Sequence, residues 1–277
     1  MASSCSGVPC ARRVTPIFRW AGSKRKLLDA IVSCLPPTYS RYIEPFVGSA
    51  CLFFTLRPAS AILNDLNEDL IAAYSTIRNH PQLVHRAAAK WPATEESYYE
   101  IRDGLKPTDP IVAAARFAYL NRYCFNGVYR ANKKGQFNVP MGKQTGEFPT
   151  LTDFRRCSIA LRKAQLLAKD FGTCLANVRR GDFVYLDPPY AKLNGRFRGE
   201  YGYGAFKAED IDRLLQCLTH IHRVGAKFLL SYSYCREIRP ALAKWHYKVV
   251  LVRRHVAGFG GDRRRVREAL IANYSLD

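Results

Sequence analysis

The sequence predicts an α/β protein in which a sheet wound with crossover helices is interrupted by an inserted, mainly helical segment. Three observations predict it. Short apolar runs of strand type alternate with longer helical patterns near both ends of the chain. The alternation stops between roughly residues 72 and 150, where helical patterns follow one another without a strand between them. An apolar run, Phe183 to Leu186, ends abruptly against a pair of prolines, as a buried strand does when it leaves its sheet.

In chain order, Leu27 to Cys34 reads as a helical run behind a cluster of cations. Arg41 to Glu44 is a strand, Ser49 to Leu56 a helix, Ala59 to Asn64 a strand and Asn67 to Arg78 a helix. Pro81 to Lys90, Glu95 to Gly104 and Ile111 to Tyr123 are successive helices, and a polar stretch containing Gly and Asn follows them to Gly142. Phe183 to Leu186 and Phe228 to Ser231 then flank the helix Glu209 to His222. Residues 1–71 and 151–277 therefore form two parts of one sheet unit, and 72–150 is the insertion. Two stretches, Lys192 to Gly204 and Gly258 to Arg265, read as basic, glycine-containing loops able to touch phosphate.

The 277 residues are 48% hydrophobic and 12% aromatic, which gives a folded chain with a sizeable core. Lys and Arg number 43 against 23 Asp and Glu, a formal charge of +20. The three segments carry +3, +5 and +12 in order, so both units are positive, as they are around a cleft for a polyanion. Nucleic acid and an anionic membrane surface both fit, and a solvated basic surface is the plain alternative. Nine scattered cysteines, without a C-x-x-C pair, fit a reducing cytoplasm. His220 and His222 stand two apart, on different faces of a helix, and no metal site is expected. No stretch approaches 18 apolar residues and the N-terminus has no apolar h-region, so neither a membrane span nor a signal peptide is expected.

Three constellations carry chemistry. The first is Asp187-Pro188-Pro189-Tyr190. Two prolines remove two backbone donors and stiffen the turn, which holds Asp187 and Tyr190 at the carboxyl end of a buried strand, where ligands of open α/β sheets bind. One carboxylate, proline carbonyls and one aromatic face suit a planar heterocycle with an exocyclic amino group: the oxygens accept its hydrogens and the ring stacks. An ordinary strand-ending turn is the alternative. The second is Glu44-Pro45-Phe46-Val47-Gly48-Ser49-Ala50, followed by Asp65 at the end of the next apolar run. A glycine turn after one strand and an acid closing the next hold an adenosine in nucleotide-binding sheets, the acid taking the ribose hydroxyls. Ser49 and Ala50 stand where a dinucleotide fingerprint has more glycine, which argues against a bound pyrophosphate. The third is Phe18-Arg19-Trp20-Ala21-Gly22-Ser23-Lys24-Arg25-Lys26, an aromatic ring, a Gly-Ser pair and three cations ahead of a helix.

In this order the three resemble the Dam-type (D12 class, alpha group) DNA adenine-N6 methyltransferases. Asn64-Asp65-Leu66-Asn67, Asn121 to Arg130, Phe137 to Gly142 and Arg267 to Tyr274 are similar to further motifs of that family, and the likeness spans about residues 17 to 274. The resemblance implies a Rossmann-like S-adenosylmethionine-dependent methyltransferase sheet with an inserted, mainly helical target-recognition domain, working as a monomer on double-stranded DNA without an obligate protein partner. It implies that Trp20, Lys24, Glu44, Pro45, Phe46, Gly48, Asp65 and Asp187 surround S-adenosylmethionine, which leaves as S-adenosylhomocysteine. Asp187, Pro188, Pro189 and Tyr190 become the catalytic motif for a flipped-out adenine. Phe125, Asn126, Val128, Arg130 and Pro140 become the surface that reads the duplex, with a site such as GATC, and Lys24, Lys192, Arg196 and Arg198 further contacts to DNA. The chain departs from the family pattern at Ser23 and Ala50, where glycine is usual, and at Arg19, where lysine is common. Two rival readings stay open at this point. Related enzymes methylate RNA bases or a protein glutamine amide, without needing the Asn121 to Gly142 segment, and a catalytically silent DNA-binding protein would keep the fold.

Overall fold

The computed structural model describes residues 14–132, 135–143, 145–190, 206–253 and 265–276. The first part of the chain gives helix α1 (Leu28–Ser33), strand β1 (Arg41–Glu44), α2 (Cys51–Leu56), β2 (Ala61–Asn64) and α3 (Glu68–Asn79). A helical stretch follows: α4 (Pro81–Ala89), α5 (Glu95–Tyr99) with a π turn at Glu100–Gly104, and α6 (Pro110–Tyr123). The chain then returns through α7 (Leu151–Leu161), β3 (Ala164–Leu167), α8 (Phe171–Leu175), β4 (Asp182–Leu186), α9 (Ala208–Arg223), β5 (Lys227–Ser233), α10 (Arg239–Lys244), β6 (His246–Arg253) and β7 (Arg265–Ala272).

One seven-stranded sheet runs through the molecule in the order β3-β2-β1-β4-β5-β7-β6. β1 pairs in parallel with both β2 and β4, and β2 with β3 and β4 with β5 are parallel too. β7 runs antiparallel to β5 and to β6. The order reverses between β1 and β4: β2 and β3 are laid down on one side and β5 on the other. Such a switch point leaves a crevice beyond the carboxyl ends of the two central strands, because their crossover connections depart to opposite sides.

β4 is buried at all five positions, as a central parallel strand covered on both faces must be. At the opposite edge from the crevice, Arg41 and Asp182 are register partners at the starts of β1 and β4. Their fork of 2.6 and 3.0 Å satisfies the buried carboxylate. α9 places Ile211, Leu214, Leu218 and Ile221 on one stripe, all buried against the sheet. α6 is different: Ala114, Ala115, Phe117, Ala118, Tyr119 and Leu120 are all buried, so it is the core helix of the helical stretch rather than an amphipathic cover. Asp109 caps its start by accepting from the Ile111 amide, and α7 opens with a Thr150/Asp153 capping box.

The structure shortens some predicted elements. α2 begins at Cys51 rather than Ser49, because Ala50 sits at φ +53 in the left-handed region and keeps Ser49 and itself in the turn. β2 starts at Ala61, two residues later than expected, and Leu27 closes a 3-10 turn ahead of α1. β3, α7, α8, α10 and β6 have no counterpart among the predicted elements, and β7 coincides only with the family-like stretch Arg267 to Tyr274. The two expected phosphate-touching loops lie outside the described residues, except for Arg265, which opens β7. No helix among the described residues is long and apolar enough to cross a membrane.

Candidate active site

The switch-point crevice is a cavity of about 520 Å³. It falls within the range of small-molecule sites, roughly 300–1,000 Å³. Trp20, Lys24, Glu44, Pro45, Phe46, Gly48, Asp65, Asp187, Pro188, Pro189 and Tyr190 all line it. Three pieces of sequence far apart in the chain thus meet for a topological reason: Glu44 ends β1, Asp65 follows β2 and Asp187 follows β4.

The glycine turn is locked from several sides. The Gly48 amide donates to Asp65 Oδ2 at 2.9 Å, and the Gly48 carbonyl accepts from the buried Tyr74 hydroxyl at 2.9 Å. Asp65 Oδ1 also accepts from the Asn67 amide at 3.0 Å. Asn64, fully buried, donates through Nδ2 to the carbonyls of Pro45 and Lys169 and accepts the Lys169 amide, which joins the ends of β1, β2 and β3. Gly48 has φ +44, and a Cβ there would lie 2.7 Å from Trp20 Cδ1, so the turn runs flush against the indole and only glycine fits. Ala50 does carry a Cβ in the left-handed region, at a cost of about 1–2 kcal/mol. That cost explains why glycine is usual there. The other departure, Ser23, puts its hydroxyl 3.2 Å from that of Ser49 and so ties the Trp20–Lys24 segment to the turn.

At the far wall, Lys24 is the hub. Its Nζ lies 2.7 Å from Asp187 Oδ1, donates to the Tyr190 hydroxyl at 2.9 Å and stands 3.9 Å from Glu268 Oε2. The Tyr190 hydroxyl donates to Glu268, whose two oxygens lie at 2.9 and 3.0 Å. The Tyr190 ring meets Tyr232 edge-on at 5.1 Å. Burial alone lowers the Lys24 pKa, but Asp187, Tyr190 and Glu268 around it outweigh that and hold the ammonium well above the usual lysine value. Glu44, which accepts from the Tyr42 hydroxyl at 2.8 Å, is pushed well above the ordinary carboxylate range by burial, with Asp187 and Asp65 adding to the effect and the Tyr42 bond opposing it. Asp65 is raised by burial against the lowering influence of the backbone amides it accepts from.

Glu268 is the residue that the sequence did not single out. It is a 1%-exposed carboxylate on β7, and only the sheet register brings it to Tyr190. A lone acid directly ahead of the apolar run Ala269-Leu270-Ile271-Ala272 was the available signal. Phe171 and Phe206 were missed as well; with Phe46 they make an aromatic corner of the cavity, at centroid distances of 5.2 to 6.1 Å.

The expected duplex-reading residues gather on a turn and hairpin beyond α6. Phe125 is 43% exposed, Asn126 adopts φ +54, and the Phe125 amide donates to the Pro140 carbonyl at 2.9 Å. Val128 is half-buried, and the half-buried Arg130 donates through Nε to Asn138 Oδ1 at 3.0 Å. These five residues are brought together. They do not line the cavity, but Tyr129 and Ala131 of the same strand do. The Phe18–Trp20 segment is pinned to α6 by a reciprocal pair of 2.8 Å bonds between the Arg19 backbone and the Asn121 amide. Lys192, Arg196 and Arg198 lie outside the described residues. Among those described, no group of three His, Cys, Asp or Glu residues is placed to hold a metal.

The chain matches the family model of the D12 class N6 adenine-specific DNA methyltransferases over residues 20–256. It is 30% identical over 272 residues to a type II methyltransferase of Lactococcus lactis subsp. cremoris, which covers 94% of this chain and 95% of that one. It is 32% identical over 290 residues to a type II methyltransferase of Methanocaldococcus jannaschii, covering 94% and 99%. A DNA adenine methylase of Escherichia coli is 31% identical over 259 residues, covering 91% and 93%.

Proposed function

This chain belongs to the D12 class of N6 adenine-specific DNA methyltransferases, and from that premise we propose how it works: the cavity takes S-adenosylmethionine, and Asp187 to Tyr190 receive an adenine swung out of the duplex. The observation that carries this reading is the convergence of Trp20, Lys24, Glu44 to Gly48, Asp65 and Asp187 to Tyr190 on one cavity at the sheet's switch point. The residues present fit an adenosyl group. The Gly48 turn passes flush against Trp20, Asp65 lies beside it on the cavity wall to take the ribose hydroxyls, and Ser49 and Ala50 stand where a pyrophosphate-binding turn would carry more glycine.

The bound cofactor supplies an electrophilic methyl group on a sulfonium, and the chain's own residues do the rest. The Asp187 carboxylate and the Pro188 carbonyl accept the hydrogens of the adenine amino group. That draws the nitrogen lone pair out of the ring and stabilises the positive charge that grows as the methyl arrives. Tyr190 stacks on the base, with Glu268 and Tyr232 setting the plane of its ring. No strong general base is needed, because the methylated ammonium is acidic enough to lose its proton. Holding the nitrogen in line with the methyl group contributes much of the remaining acceleration.

Extruding the base costs a few kcal/mol, offset by pocket contacts and by Phe125 entering the stack. Residues 72–150 act as the target-recognition insertion between the two parts of the catalytic domain, 1–71 and 151–277. Arg130 pairs with guanine N7 and O6, Asn126 meets an adenine or its surroundings, Val128 meets a thymine methyl, and Pro140 lines the same surface. GATC or a related short site fits that set. Lys192, Arg196 and Arg198 with the other surface cations hold phosphates, which makes binding fall with salt. The protein acts as a monomer and releases S-adenosylhomocysteine.

The test is transfer of labelled methyl from S-adenosylmethionine to unmethylated plasmid, followed by single-base mapping of N6-methyladenine. Label confined to adenine in one short motif is the expected result and names the site. Label on RNA or on a protein amide in place of DNA would overturn it.

A further inference from the structure

The cavity and the reading hairpin meet at one residue, Tyr129. Tyr129 stands between Val128 and Arg130, and its own ring turns the other way, into the protein. It stacks on Trp20 at 5.9 Å and 12°, and packs on Phe117 at 4.8 Å and Phe137 at 5.1 Å. Its hydroxyl donates to Asp69 Oδ2 at 2.6 Å. Asp69 lies in the first turn of α3, four residues after Asp65, and both Asp69 and Tyr129 line the cavity. In extended backbone, consecutive side chains leave on opposite sides. Val128 is extended at φ −76, ψ 119, Arg130 bonds across the hairpin to Asn138, and Tyr129 between them lines the cavity. Trp20 is in turn clamped between Tyr129 and the Gly48 turn.

We propose that Tyr129 is a positioning residue that sets the reading strand on the methyl-donor cavity, so that cofactor and cognate duplex each tighten the binding of the other. The inference rests on the reading of the cavity and hairpin given above. Its physical basis is that the cofactor packs against the cavity side of this ring while the duplex fixes Val128 and Arg130, its two neighbours on the same backbone. Whichever binds second finds part of the ordering already done. The aromatic packing places the ring, and the Asp69 bond fixes its rotation about the stack. Burial, and Asp69 beside it, hold the phenol well above its ordinary pKa, so the hydrogen stays on Tyr129 across the working range.

The experiment is calorimetric titration of S-adenosylhomocysteine into the full chain, alone and saturated with a short duplex carrying the mapped site. Wild-type protein is expected to show a coupling factor in the range of about 5- to 150-fold. Tyr129→Phe keeps the ring and loses the bond, and its coupling is expected to fall to within about twofold of one. Asp69 is exposed, so Asp69→Ala tests the same bond without disturbing the core, and combining it with Tyr129→Phe is expected to reduce coupling no further. A coupling factor of one in the wild type, or wild-type coupling in both variants, would overturn the inference. Wild-type protein that took up no S-adenosylhomocysteine before any duplex was added would overturn the reading of the cavity, and this inference with it.

Discussion

The catalytic wall and the reading hairpin are built to different standards. At the wall, Lys24 is 4% exposed and meets Asp187, Tyr190 and Glu268 at once, and Glu268 receives the tyrosine hydroxyl with both oxygens in reach. At the hairpin, Phe125 stands out in solvent, Asn126 takes a left-handed backbone, and isolated bridges at Cys124–Met141 and Ala131–Phe137 tie the strands. The wall holds charge in place before anything binds, which is what electrostatic catalysis requires. On the reading proposed above, the duplex would complete the order of the hairpin's side chains, at an entropic cost met on binding. The difference between the two regions is thus one of preorganisation: the buried network is complete in the free chain, and the exposed turn is not.

That contrast can be broken or sharpened by substitution. The largest effect is expected at Asp187→Ala. Methyl transfer should fall by at least about a thousandfold, while duplex affinity in a gel-shift assay stays within about threefold; unchanged turnover would remove Asp187 from the chemistry. Lys24→Ala leaves two carboxylates without their shared cation and is expected to cost about 3–5 kcal/mol of stability in urea unfolding. A loss below about 1 kcal/mol would mean that the wall is wet and loosely held. Arg130→Ala should cost about 1–3 kcal/mol of discrimination at one guanine, read as relative methylation of sites altered base by base. Equal weakening at every sequence would make Arg130 a phosphate contact.

Glu44→Gln tests the wall through pH. The folded pKa of Glu44 is raised, so its contribution to stability is fully present below the unfolded value near 4.5 and is lost as the pH rises through the folded value. The variant's urea midpoint should therefore lie increasingly above that of the wild type as the pH rises from about 4.5 toward neutrality. Parallel curves would mean that Glu44 is ionised in the fold. The smallest effect is expected at the exposed ring: Phe125→Ala should change stability by less than about 0.5 kcal/mol and yet slow methylation of duplex DNA.

What could be read without coordinates follows the same division. The wall's first residues were legible because each sits where a strand must stop: two prolines after Leu186, a glycine turn after Glu44, an acid after Asn64. Parallel strands deliver such ends to one side, so their meeting followed from order alone. Glu268 was not legible, since its place beside Tyr190 depends on β7 pairing with β5 at Ser233, a register that no local pattern fixes. β6 was hidden because Tyr247, Val249 and Leu251 leave one face exposed and the strand looks like neither a buried run nor a clean alternation. The start of α2 was misread because a left-handed Ala50 gives no local signal. The hairpin residues came from family resemblance; their spacing alone says little beyond a turn.

β7 enters the sheet between β5 and β6 rather than at the edge. A polypeptide is made from its N-terminus, so while a nascent chain has emerged only as far as β6, β5 has no partner on that side and the acceptor for the Tyr190 hydroxyl is not yet free to fold. The open flank is an aggregation hazard until the last strand slots in. Until β7 arrives the Tyr190 ring is held by Lys24 and Tyr232 without the carboxylate that takes its hydroxyl hydrogen.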